Sequence, residues 1–102
     1  MKIKEIVILK EAVDDLKNGK YFYDQRQEGV GDYFWDNLIA DIESLVIYSG
    51  IHSKKCGLYR MFAKRFPYAI YYDIEDEIAR VIAVLPMRRD PEWIKRKLKE
   101  RR

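Results

Sequence analysis

Apolar side chains recur along this chain at two spacings, and the change from one to the other divides it. From Glu11 to about residue 27, Ala12, Val13, Leu16, Lys20 and Tyr23 stand at helical intervals, with Asp14, Asp15 and Lys17 on the outer face. Gly19 falls inside this helix and weakens it by about 1 kcal/mol relative to alanine. A second helical stripe, Phe34, Trp35, Leu38, Ile42, Leu45 and Val46, starts after Asp32, the expected N-cap, and ends at Ser49-Gly50. Asp36, Asp41 and Glu43 are expected to look outward from it. Between the two helices, Glu28-Gly29-Val30-Gly31 lets the chain turn. Ahead of them, residues Lys2 to Leu9 alternate with apolar side chains on both faces. That pattern predicts a strand with neighbours around it, not an open edge.

Past Gly57 the period falls to two. Leu58–Arg65, Pro67–Asp73 and Ile78–Leu85 are short runs rich in β-branched and aromatic residues, which predicts three strands in an antiparallel meander. A loop from Ile51 to Cys56 leads in, and Glu75-Asp76-Glu77 is the polar break for a hairpin, without the Asn-Gly or Asp-Gly of the tightest turns. Asp90 can cap a last helix whose first position is Pro91, where a missing N–H costs nothing. That short basic helix runs from Glu92 to about Lys99. The order β-α-α-β-β-β-α predicts one α+β domain over residues 1–102, an antiparallel sheet covered on one face by the N-terminal helical hairpin.

Charge changes this picture from a scaffold into a polarised one. Residues 1–50 hold 6 Lys/Arg and 10 Asp/Glu, whereas residues 51–102 hold 14 and 7, so a half at −4 precedes a half at +7. No acid occurs from Ile51 through Tyr72. A concentrated basic half is the footprint of a polyanion or an acidic protein partner. A single cysteine, Cys56, excludes an internal disulfide and fits a reducing, cytoplasmic setting. With a single histidine beside it, no Cys/His metal site is expected, and no cofactor. The apolar run Ile6–Leu9 is too short for a membrane segment.

Candidate chemistry is sparse. His52 lies in a loop with no carboxylate placed to orient it and reads as a surface histidine. The Glu75–Glu77 carboxylates read as a solvated turn. The basic group is richer. Lys54, Lys55, Arg60, Lys64 and Arg65 come from the loop and first meander strand, and Arg88 and Arg89 close the last strand. If those strands are neighbours, Arg60 or Arg65 approaches Arg88 or Arg89, and such a cluster can hold phosphates or stabilise the charge on an attacked RNA phosphate. Tyr68, Tyr71 and Tyr72 are either sheet-face packing or platforms for bases.

The series FPYAIYY, a hairpin, an AV-containing strand and RRDPEW resembles the C-terminal half of the RelE/ParE toxin superfamily, and the two N-terminal helices fit it as well. The resemblance implies an antiparallel sheet covered by a helical pair. It also implies the toxin of a type II toxin–antitoxin pair, held inactive by a cognate antitoxin that wraps it. In that superfamily the RelE-like branch cleaves messenger RNA on the ribosome without a metal, and the ParE-like and plasmid-stabilisation branch poisons DNA gyrase. Where ribonuclease members often carry an arginine at the start of the central strand, this chain has Tyr68. Pro86 stands where several have a histidine, and Trp93 where others have a tyrosine. Arg88 and Arg89 match a basic pair of both branches. The resemblance therefore favours a ParE-like toxin contacting its target through Lys54, Lys64, Arg88, Arg89 and Trp93. The alternatives are a ribonuclease using Arg60, Arg65 and Arg88, or a member that keeps the fold without toxicity.

Overall fold

Two helices joined by a three-residue turn pack so closely that only glycine fits at their contacts. The computed structural model describes residues 3–101. Helix α1 (Lys10–Arg26) buries Ala12, Leu16 and Gly19, and helix α2 (Val30–Glu43) buries Gly31, Phe34, Leu38, Asp41 and Ile42. A Cβ on Gly19 would lie 2.4 Å from Cζ of Phe34, and one on Gly31 would lie 2.4 Å from the Lys20 carbonyl. Gly19 is thus a close-approach residue, and the helix propensity it forgoes is exchanged for a buried phenyl ring. Gly29, at φ 91°, takes the N-cap position expected of Asp32. The first helix supplies the missing cap, since Asp24 Oδ1 accepts the Gly31 N–H at 2.7 Å. Asp32 instead lies in the first turn of α2 and pairs with Lys20 at 3.0 Å.

The second helix is shorter than its apolar stripe suggested. Ser44 donates its hydroxyl to the Asp41 carbonyl and breaks the helix, and a separate turn, α3 (Leu45–Tyr48), follows. Leu45 is buried, but Val46 is 51 % exposed, off the stripe to which its spacing assigned it. Asp41 does not face water. It is buried, and its Oδ2 accepts the Lys64 N–H at 3.1 Å where the chain leaves the sheet.

The sheet comprises β1 (Glu5–Ile8), β2 (Lys54–Lys55), β3 (Leu58–Phe62), β4 (Tyr68–Glu75) and β5 (Ile78–Pro86) in the order β1-β5-β4-β3-β2. The last three form the expected meander. Strand β1 adds to β5 in parallel at one edge, so it has one strand neighbour. Its apolar side chains are only partly buried. Lys2, the predicted first residue of this strand, lies outside the described residues. At the other edge, the expected loop contains β2, paired with β3 through Cys56-Gly57. Both turn residues have positive φ, the geometry of a type I′ hairpin. Asp76 and Glu77 form a second such turn with φ 53° and 64°, without glycine.

Helices cover both faces of the sheet, not one. Helices α1 and α2 lie over a core that includes Met61, Ile70, Tyr72, Val81 and Val84. The final helix, α4 (Pro91–Glu100), lies over a second core of Leu58, Ala69, Tyr71, Ile82, Ala83, Leu85 and its own Leu98. A register shift lets Tyr71 and Tyr72 face Ala83 and Val81, leaving Ile82 as the extra residue of a β-bulge. Ile82 and Ala83 consequently both serve the α4 face.

Candidate target-binding surface

Strand β1 is too short to cover β5, and the way the remaining edge is closed fixes α4. Parallel pairing ends at Ile8 and Val81, with a last bond from the Leu9 N–H to the Val81 carbonyl at 3.0 Å. Beyond it the chain's ends supply partners. Asp15 Oδ2 accepts the Val84 N–H at 2.9 Å, and Arg101 Nη1 donates to the Ile82 carbonyl at 3.4 Å. Arg101 and Asp15 also form a two-pronged ion pair, at 2.5 and 2.9 Å. Their side chains are only 14 % and 10 % exposed. The hydrogen bond to Asp15 holds the Arg101 guanidinium charged more firmly than usual. Asp15, expected on the outer face of α1, is therefore the latch that fastens the far end of α4. At the near end Asp90 accepts the Glu92 N–H at 3.2 Å and Pro91 opens the helix, as the sequence predicted.

Two hollows flank the start of α4. The larger, about 470 Å³, lies between α1, the end of β5 and α4, and is lined by Phe22, Tyr23, Tyr68, Arg88, Trp93 and Lys97 among others. The smaller, about 160 Å³, opens toward β3 and is lined by Lys55, Arg60, Phe62, Tyr71, Met87 and Ile94 among others. Arg89 borders both, and its guanidinium lies 3.7 Å from the centre of the Trp93 ring. Arg60, Arg88, Arg89 and Trp93 are thus assembled around one helix start. Arg60 stacks 4.9 Å over Phe62 and stands opposite Tyr71 of the neighbouring strand.

The other expected residues are elsewhere. Arg65 donates to Asn37 Oδ1 of α2 at 3.1 Å, and Lys64 is exposed beside it in sequence. Lys54 lies 4.8 Å over the Tyr59 ring. Its neighbour Lys55 lines the smaller hollow instead, because successive residues of a strand face opposite ways. Lys97 and Phe62 were missed from the sequence, and Lys55 was grouped with Lys54. Alternation would have separated Lys55 from Lys54 had β2 been recognised as a strand.

The histidine is not beside this basic assembly. His52 belongs to the other face of the sheet. Its Nδ1 meets the Tyr72 hydroxyl at 2.5 Å, and that oxygen also accepts the Gly50 N–H at 2.9 Å. Because Tyr72 has one proton to give, this arrangement suits a neutral imidazole with an unprotonated Nδ1. Burial pushes the His52 pKa down from its ordinary value. The loop histidine is therefore a half-buried structural group. The three candidate stacking tyrosines are packing residues, with Tyr68, Tyr71 and Tyr72 only 7 %, 2 % and 0 % exposed. Burial raises the hydroxyl pKa of Tyr68 to about 12 and also raises that of Tyr71.

An antiparallel meander with a parallel edge strand, a helical hairpin on one face and a basic helix on the other defines a RelE/ParE-like toxin fold. The chain belongs to the ParE toxin family: the family model for the ParE toxin of the type II toxin–antitoxin system, parDE, matches residues 6–91. It is thus a type II toxin whose partner is a cognate antitoxin. The structure is also similar to a solved chain described as "Chromosomal ParDE TA system from P. aeruginosa", with a TM-score of 0.72 and 10 % identity. That match covers 80 % of this chain and 94 % of the other, and at this identity it speaks for the fold alone. No protein with a curated description matches the sequence. Among the described residues, no helix is long and apolar enough to cross a membrane.

Proposed function

We propose that this toxin arrests growth by binding a macromolecular target, DNA gyrase, through the basic surface around the start of α4. The observation that carries the reading is a concentration of cations around hollows whose one lining carboxylate among the described residues, Asp15, is held by Arg101 and the Val84 N–H. Arg60, Arg88 and Arg89 border hollows whose tyrosines are buried or half-buried with pKa values raised by burial, while His52 is bound to Tyr72 on the opposite face. Cutting RNA through its 2′-hydroxyl needs a base for that hydroxyl and an acid for the leaving oxygen. Charge stabilisation alone provides neither. Binding needs only the cations and the apolar groups between them.

Purified toxin, freed from its antitoxin, is added to gyrase supercoiling reactions and, separately, to ribosomes stalled on message. The expected result is loss of supercoiling with the message intact. Codon-specific cleavage of message with gyrase unaffected overturns the proposal and favours the RelE-like ribonuclease.

A further inference from the structure

The two hollows beside α4 share Arg89, and this sharing suggests more than a protein contact. Lys55 and Arg60 border the smaller hollow, Arg88 and Lys97 the larger, with Arg89 between them. None of these five cations pairs with a carboxylate among the described residues. The one carboxylate lining the larger hollow, Asp15, is already satisfied by Arg101 and the Val84 N–H. The result is a basic strip that crosses the start of α4 and has a concavity on either side.

Aromatic surface accompanies it. Phe62, 52 % exposed, lines the smaller hollow, and Phe22, 46 % exposed, lines the larger. The Arg89 guanidinium, 3.7 Å from the centre of the Trp93 ring, is a further stacking surface between them. Spaced cations alternating with flat apolar groups suit a chain whose phosphates lie outside and whose bases turn inward. A duplex keeps its bases stacked and would leave both concavities empty.

We infer that this strip is a track for single-stranded nucleic acid, bound without being cut. Phosphates meet Lys55, Arg60, Arg89, Arg88 and Lys97, and bases enter the two hollows and stack on Phe62 and Arg89. The inference concerns a different ligand from the protein target proposed above and is tested without gyrase, so either can fail alone.

The test is fluorescence anisotropy of the purified toxin with labelled 12-mers of oligo(dT) and oligo(U), and with a duplex of the same length. Titrations run from about 50 to 200 mM salt, the range over which phosphate contacts are weakened. Five phosphate contacts on a single strand predict a slope of log K against log salt of about −3.5. The deoxy and ribo strands compared with each other show whether the track distinguishes sugars. Arg89→Gln, which removes the group common to both hollows, should weaken single-strand binding about tenfold or more, and Phe62→Ala about tenfold through lost stacking. Lys17→Gln, an exposed cation on α1, should leave it unchanged. Circular dichroism of each variant reports folding. Duplex binding as tight as single-strand binding would overturn the inference. So would an equal loss for Lys17→Gln and Arg89→Gln, which would mean diffuse attraction. Equal affinity for a poly-glutamate peptide of matched charge would mean an acidic protein surface is the ligand instead.

Discussion

Replacing Asp15 with alanine should be among the most damaging single changes in this protein, although sequence alone places the residue on a solvent face. The carboxylate accepts three hydrogen bonds, one from the Val84 N–H and two from Arg101. Its removal leaves a guanidinium that is 14 % exposed without its counter-charge and an N–H at the open edge of β5 without an acceptor. Breaking a buried ion pair from one side costs about 3–5 kcal/mol, a figure that already includes such orphaned groups. Alanine is the better helix former, but by no more than about 0.7 kcal/mol, so packing decides the sign. At roughly 4 °C per kcal/mol for a domain of this size, the melting temperature should fall by roughly 12–20 °C. Thermal and urea denaturation followed by circular dichroism measures this. Adding Arg101→Met to Asp15→Ala should recover part of the loss, because the stranded charge is gone and an apolar side chain takes its place. A cost below about 1 kcal/mol for Asp15→Ala, or strict additivity in the double variant, would show that the latch does not bear on stability.

Gly19→Ala sets two effects against each other. Helix propensity favours alanine by about 1 kcal/mol. The added methyl would meet the buried Phe34 ring at 2.4 Å, an overpacking worth about 1–3 kcal/mol, so net destabilisation is expected in urea melts and a gain would contradict it. His52 should make stability depend on pH. Its folded pKa lies below the ordinary 6.5, so the unfolded chain binds the proton more readily. Stability should therefore be full above pH 6.5 and fall as the pH drops toward the folded value, and His52→Gln should flatten that slope in melts between pH 7 and 5. Arg88 and Arg89 are both exposed, so reversing them to glutamate should leave the fold intact. It should slow association with the antitoxin, more at low salt than at high; an unchanged on-rate and salt dependence in stopped-flow mixing would remove the basic end from recognition.

The meander and the last helix were legible because their signals are local. Strand period, polar breaks and the Asp90-Pro91 start each act within a few residues. What escaped depends on contacts between distant segments. Asp15 reads as solvated until β1 is known to stop at Ile8 and Arg101 is known to return 86 residues later. Gly19 reads as a weak point until Phe34 is seen against it. Asp41 is drawn inward by a backbone N–H from Lys64, across the sheet end. The same reason divides the basic cluster. The adjacency of β3, β4 and β5 brings Arg60 toward Arg89, as strand neighbours should. Arg65 lies past the end of β3, where the chain turns toward Asn37 of α2. Lys97 is placed by the packing of α4, which no pairwise strand rule describes.

The most direct test of the toxin's action is induced expression in bacteria without the antitoxin, read out simultaneously as growth, plasmid supercoiling and integrity of a reporter message. The prediction is arrest, with plasmid topology disturbed and the message uncut, and restored growth when the antitoxin is supplied. Arrest with cleaved message and normally supercoiled plasmid, or unimpaired growth at confirmed expression of folded protein, would contradict it.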